Sequence, residues 1–218
     1  GTHGAEQCAA LRSTILTKEL TMLGEEAIIP NKKSKVLIQY KNVDKVYLKV
    51  VTANYEKFNA NKYDHAKLVD KLRKKNGVYV DQIELANPGD YQKHSTEVML
   101  PELKNGFYFV VIGTDPLFKD GKTAFAYMPL WVTNIAYQTR SLKNKHQVLV
   151  SDRATGEPLI GAKAAITYQT YNYKTGRYDD VKLGDYTADK NGLFEFNPNE
   201  DSYNYRVILE SNKEVYAP

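Results

Sequence analysis

Hydrophobic and polar positions alternate along most of the chain, most plainly in 45–54, where Val46, Leu48 and Val50 share one side and Tyr47, Lys49 and Val51 the other. A period of two sends successive side chains to opposite faces of a strand, so this run predicts a strand with one face in a core. Seven such runs follow one another, at 19–29, 35–42, 45–54, 78–86, 94–101, 106–115 and 123–134. Between them stand Pro30-Asn31, Asn42-Val43-Asp44, Asn87-Pro88-Gly89-Asp90, Lys104-Asn105-Gly106 and Lys119-Asp120-Gly121. Asn-Gly and Asp-Gly supply the positive φ of tight hairpins, and seven strands so joined predict an immunoglobulin-like sandwich.

Two segments break the period. Residues 5–18 place Cys8, Leu11, Ile15 and Leu16 near a three-four spacing, which predicts a helix with one apolar face, read as the tail of an upstream domain. Residues 61–77 offer Asp64 as a cap, Leu68, Val69 and Leu72 as an apolar stripe, and Gly77 as a stop, which predicts a helical insertion near 62–76.

After Asn134 the strand pattern starts again, at 135–141, 146–152, 162–173, 178–189, 193–197 and 203–211, with a terminal run to Pro218. Its connections, 152–156, 158–161, 174–176 and 188–192, each end in glycine. The expected fold is all-β: two tandem immunoglobulin-like or fibronectin-like β-sandwiches, with a short N-terminal helix and one helical insertion in the first. The expected organisation is a helical linker at 1–18, a first sandwich at 19–134 and a second at 135–218. The halves share no alignable motif, so they read as tandem domains rather than a repeat.

A length of 218 residues suits two domains, and 17 tyrosines against 7 phenylalanines suit strands whose rings are half wet. Thirty basic and 26 acidic residues are mixed along the chain for a net +4, unlike the basic stripe of a nucleic-acid binder, so no nucleic acid is expected as partner. The densest basic run, Lys71, Arg73, Lys74 and Lys75, reads as a solvated helix face. No apolar run approaches the roughly 18 residues of a membrane helix. The single cysteine excludes an internal disulfide and a cysteine-based zinc cluster, and His3, His65, His94 and His146 lack metal-ligand spacing.

No G-x-S-x-G elbow, phosphate-binding loop or H-E-x-x-H motif is present, so the chain reads as non-enzymatic, with no catalytic residue and no cofactor. Asp179, Asp180, Asp185 and the 189–192 loop lack the spaced acidic ligands and closing glutamate of a calcium loop and read as turn and surface residues. Trp131, near Phe125, Tyr127 and Leu130, is weighed as a sugar platform and read as core. Tyr168, Tyr171, Tyr173 and Tyr178 span a hairpin; they are the candidate interaction surface, against the alternative of cross-strand packing alone.

Several segments together resemble the bacterial alpha-2-macroglobulins. Tyr40, Asn42 and Val43 resemble a turn joining two early strands of a macroglobulin domain, and Leu100, Pro101, Leu103, Gly106 and Tyr108 a stretch leading a later strand. Leu130-Trp131-Val132-Thr133 resembles an exit strand. The segment from Val150 to Ala162 and the one from Thr187 to Phe194 resemble the D-x-x-T-G-x-P-L-x-G-A and T-x-D-x-x-G-x-F turns of the domain that follows. The resemblance implies a periplasmic or envelope location, with a signal peptide upstream, and a structural part in a shell that traps proteases. Its partners would be the other domains of the parent chain and the trapped proteases. No thioester chemistry is implied, because Leu11 stands where the family's glutamine would follow Cys8 by three. Rival expectations are a surface adhesin or glycan-binding module using the tyrosine hairpin, and an accessory domain of a secreted hydrolase.

Overall fold

The computed structural model describes residues 2–59, 64–118, 123–143, 145–174, 176–198 and 205–218. The turn expected at 119–121, the first residues of the 62–76 insertion, Thr175 in the 174–176 connection and the start of the 203–211 run lie outside the described residues.

The elements run α1 (His3–Leu16), β1 (Glu19–Gly24), β2 (Ala27–Ile28), β3 (Ser34–Lys41), β4 (Lys45–Ala53), α2 (Tyr55–Asn59), α3 (His65–Lys74), β5 (Tyr79–Glu84), β6 (His94–Leu100), β7 (Gly106–Gly113) and β8 (Phe125–Val132). They continue with β9 (Ile135–Leu142), β10 (Lys145–Asp152), β11 (Lys163–Asn172), β12 (Arg177–Thr187), β13 (Leu193–Phe196), β14 (Tyr205–Ser211) and β15 (Glu214–Tyr216). The chain forms two compact units, one of 1–26, 31–103 and 107–130, the other of 27–30, 104–106 and 131–218. The expected first run, 19–29, is two strands, and its second half, β2, pairs in parallel with Trp131 and Val132 at the end of β8.

In the first unit β1, β3 and β6 make an antiparallel sheet, and β8, β7, β4 and β5 lie side by side in a second. Val46, Leu48 and Val50 are fully buried, as their shared face predicts. The opposite face of β4 is buried too at Lys49 and Val51, and β7 is buried from Phe107 to Gly113. The helical insertion accounts for this second buried face. Phe58 of α2 meets Phe109 at 5.2 Å between ring centroids and Phe107 at 5.5 Å. Lys49 donates from Nζ to the carbonyls of Arg73 and Lys75, at 2.8 and 3.0 Å, where the C-terminal end of α3 carries partial negative charge. Burial pushes the Lys49 ammonium's pKa down.

The cap expected at Asp64 is formed, its carboxylate accepting from the Lys67 amide at 3.1 Å. Gly77 plays a different part from the one expected: α3 stops at Lys74, and a Cβ on Gly77 would lie 2.6 Å from the Tyr79 carbonyl oxygen. Close backbone approach, not a left-handed cap, requires the glycine. Helix α1 forms where expected but buries none of its residues. It is tied down by polar groups instead, with Lys41 Nζ donating to the Thr14 carbonyl at 3.0 Å and Asn42 Nδ2 to those of Ile15 and Thr17 at 2.7 and 3.0 Å.

The second unit stacks the sheet β13-β10-β9 with the sheet β12-β11-β14-β15. Val148, Val150, Ile166 and Leu209 are fully buried, with Phe194 and Phe196 nearly so. The register of β11 on β12 passes from Ile166↔Gly184 to Thr167↔Lys182, so Leu183 is an extra residue and the strand is bulged there.

Candidate functional site

Residues of β11 alternate, with Ala164 and Ile166 buried, so Tyr168 continues the inward series while Tyr171 points outward. Tyr168 pairs with Tyr205 at 6.4 Å, and Tyr205 packs in turn on Phe196 at 5.4 Å. Tyr168 is therefore apart from the other three. Tyr171 sits directly across from Tyr178 in the ladder, their rings 5.2 Å apart at 66°, and Tyr173 stands edge-on to Tyr171 at 5.0 Å and 86°. Tyr173 is 90% exposed, Tyr178 61% and Tyr171 44%. Three rings thus form one exposed aromatic cluster, edge to face rather than coplanar. The carboxylates beside it are engaged: Asn172 Nδ2 donates to Asp179 at 2.7 Å, and Gln169 Nε2 and Arg206 Nη1 donate to Asp180 at 2.9 and 3.2 Å. Among the described residues no group of three or more His, Cys, Asp or Glu is placed to hold a metal ion.

Trp131 is buried, 7% exposed, and its ring stands edge-on to Tyr216 at 5.7 Å within the second unit. The residues after it are held by groups that sequence reasoning missed. Glu214 accepts from Thr133 Oγ1 at 2.8 Å, from the Asn134 amide at 2.9 Å and from Asn134 Nδ2 at 2.9 Å. Arg153 donates from Nη2 to the Ile135 carbonyl at 2.7 Å and from Nε to that of Thr133 at 3.2 Å. Burial works to raise the Glu214 pKa, but the hydrogen bonds from Asn134, Thr133 and Asn105 outweigh it and hold the carboxyl below its ordinary value. Glu214 lies 80 residues from Asn134, and no local pattern marks the pair.

The turn residues singled out in the sequence have definite structural work. Tyr40 donates its hydroxyl to the Ala86 carbonyl at 2.8 Å, and Asn42 takes a left-handed φ of 57° beside buried Val43. Asp152 accepts from the amides of Ala154 and Thr155 at 2.8 and 2.9 Å, and Asp189 from those of Asn191 and Leu193 at the same distances. These bonds, foremost from Thr155 and Leu193 respectively, hold both carboxyls below the ordinary aspartate range. Gly192, at φ 74°, brings its carbonyl within 2.8 Å of the Val150 amide. Cys8 is an exposed thiol on α1. No described helix is long and apolar enough to cross a membrane.

No protein-family model matches the sequence, and no curated protein matches it. Among solved structures, the native alpha-2-macroglobulin of Escherichia coli spanning domains NIE-MG1 is similar, with a TM-score of 0.60 and 13% identity over 92% of this chain and 95% of that one. A longer piece of the same protein, spanning domains MG0-NIE-MG1, gives a TM-score of 0.62 at 13% identity over 93% of this chain, which spans 64% of its length. The structural likeness, one of fold, is to two consecutive β-sandwich domains of a bacterial alpha-2-macroglobulin.

Proposed function

We propose that this chain is a non-catalytic structural and interaction segment of an alpha-2-macroglobulin-like protein of the bacterial envelope, contributing part of a shell that encloses an attacking protease. The observation that carries the reading is the likeness in fold, over 92% of the chain, to two adjacent domains of such a protein. The hydrogen-bonded Asp152 and Asp189 turns and the Tyr40-Asn42-Val43 corner support it, since each is a motif of the resemblance with a stated structural task. The working segments would be the linker at 1–18 and the sandwiches at 19–134 and 135–218, with periplasmic location and proteases as the trapped partners of the whole protein.

Enclosure leaves a protease's active site intact while excluding large substrates. The test therefore treats a broad-specificity protease with the protein expressed from its complete gene, then measures cleavage of a small chromogenic peptide and of a large protein. Loss of the second with retention of the first supports the reading; equal loss of both, or of neither, refutes it.

A second reading, a surface module that binds a partner through the tyrosine hairpin, is favoured by the 90% exposure of Tyr173. Tyrosine clusters are frequent anchors in protein interfaces. The edge-to-face rings argue for a protein partner over a sugar, because glycan stacking uses a flat, open ring face.

A further inference from the structure

An asparagine followed by glycine is open to attack on its side chain by the next residue's amide nitrogen, because glycine places no Cβ in the way and leaves the backbone free to turn. The chain holds three such pairs, and lysine precedes each: Lys75-Asn76-Gly77, Lys104-Asn105-Gly106 and Lys190-Asn191-Gly192. Local sequence therefore gives the three the same reactivity, and only the fold sets them apart. At Asn191 the attacking nitrogen is occupied: the Gly192 amide donates to the Asp189 carbonyl at 2.9 Å, and the Asn191 amide to Asp189 Oδ1 at 2.8 Å. At Asn105 the side chain is held by a hydrogen bond to Glu214, and Gly106 opens β7. Asn76 has neither restraint. It is exposed in the segment between α3 and β5, and among the described residues no hydrogen bond engages its side chain or the Gly77 amide. Both residues line a recess of 510 Å³, which gives water access to them.

We infer that Asn76 is a site of spontaneous deamidation. The Gly77 amide nitrogen, giving up its proton, bonds to Cγ of Asn76; the Cγ–Nδ2 bond breaks, and ammonia leaves with that proton, closing a cyclic imide. Water then adds to one of the two imide carbonyls. Opening at Cγ gives aspartate, and opening at the main-chain carbonyl gives isoaspartate, in which the backbone runs through Cβ and Cγ and is one carbon longer. No electrons are transferred, and water is the only co-reactant. Either product puts a carboxylate just beyond the C-terminal end of α3. The longer one must also fit between two anchors. Lys75 bonds the Lys71 carbonyl through its amide at 3.0 Å and accepts from Lys49 at 3.0 Å, and the Val78 amide bonds the Val50 carbonyl at 2.8 Å. The isoaspartyl form therefore loosens the last turn of α3. The inference is independent of the protease-trap reading.

The test incubates the full chain in mildly alkaline buffer made with heavy-oxygen water and follows the three sites by peptide mapping and mass spectrometry. The heavy oxygen marks hydrolysis during the incubation, and electron-transfer fragmentation separates aspartate from isoaspartate. Asn76 should react at least about tenfold faster than Asn105 or Asn191, a ratio that corresponds to about 1.4 kcal/mol, roughly one hydrogen bond broken before reaction at the restrained sites. In urea all three should react at similar rates, which assigns the difference to the fold. Asn76→Gln should abolish the product at that position; the side chain is exposed, so circular dichroism of the variant should match the parent. The isoaspartyl fraction should show faster amide exchange in the last turn of α3 than Asn76→Asp, which adds the charge without the extra carbon. Equal rates at the three sites of the folded protein, faster reaction at Asn105 or Asn191, or a product without isoaspartate would each overturn the deamidation site, and exchange equal to that of Asn76→Asp would overturn the loosening.

Discussion

Gly192 offers the sharpest quantitative test of how the second unit is built. A Cβ there would lie 2.4 Å from the Val150 carbonyl oxygen and 3.0 Å from Pro158 Cβ, on a backbone already at φ 74°. Gly156 and Gly161, at φ 77° and 73°, have nothing within 4 Å of the same position, so alanine there meets only the left-handed conformation. That conformation costs about 1–2 kcal/mol for a residue with a Cβ, partly offset by about 0.4–1 kcal/mol from a stiffer unfolded chain. Gly156→Ala and Gly161→Ala should each destabilise by about 1 kcal/mol. Gly192→Ala adds about 1–3 kcal/mol for the forced shift of a packed backbone, along with strain on the Val150–Gly192 hydrogen bond, for about 3 kcal/mol in all. Urea unfolding followed by tryptophan emission reads the second unit selectively, because the chain's one tryptophan, Trp131, packs there on Tyr216. With a slope of about 1–3 kcal/mol per molar urea, the Gly192→Ala midpoint should fall at least twice as far as those of the two controls. Equal shifts for all three variants would refute the close-approach explanation and leave backbone conformation as the whole role of Gly192.

Glu214→Gln should destabilise the second unit by about 2 kcal/mol, since a partly buried acceptor of hydrogen bonds from Thr133 and Asn134 loses its charge. The Glu214 carboxyl is held below its ordinary value of about 4.5, so the unfolded chain takes up the proton first. Its stabilisation is complete above that value and is lost as pH falls through the lower folded-state value; urea midpoints should fall less steeply with acid in the Gln variant than in the parent. Asn42→Gly should cost about 1 kcal/mol by removing the bonds to Ile15 and Thr17, and Asn42→Ala about 1 kcal/mol more for φ 57°; thermal melts ordering the variants otherwise would contradict the corner's geometry. Lys49→Met should leave the Arg73 and Lys75 carbonyls without their donor and speed amide exchange in α3 about tenfold, whereas unchanged exchange would show that Lys49 does not pin the helix. Tyr173→Ser should change stability by less than about 0.5 kcal/mol, given 90% exposure; a larger loss in urea would mean that the ring serves the fold rather than a partner.

Period-two alternation and glycine, asparagine and aspartate turns are properties of a few adjacent residues, and the strands were legible for that reason. Val46, Leu48 and Val50 are buried together, Asp64 caps α3, and Asp152 and Asp189 fold their turns from within four residues. The tyrosine hairpin was legible in part: the ladder sets Tyr171 against Tyr178, while Tyr168 lies three residues from Tyr171 and so takes the opposite face. What escaped the sequence depends on groups far apart along it. The second face of β4, with Lys49 among its residues, reads as the face away from the core, and only the packing of α2 and α3 buries it. Spacing alone marks an apolar face on α1, but only the tertiary structure decides whether that face has anything to cover it, and here polar bonds from Lys41 and Asn42 hold the helix instead. Glu214 reaches Asn134 across 80 residues, a pairing that no local pattern marks. Local pattern determines which way each side chain points; tertiary structure decides what it meets, because burial and charge balance are sums over neighbours that the chain brings together only on folding.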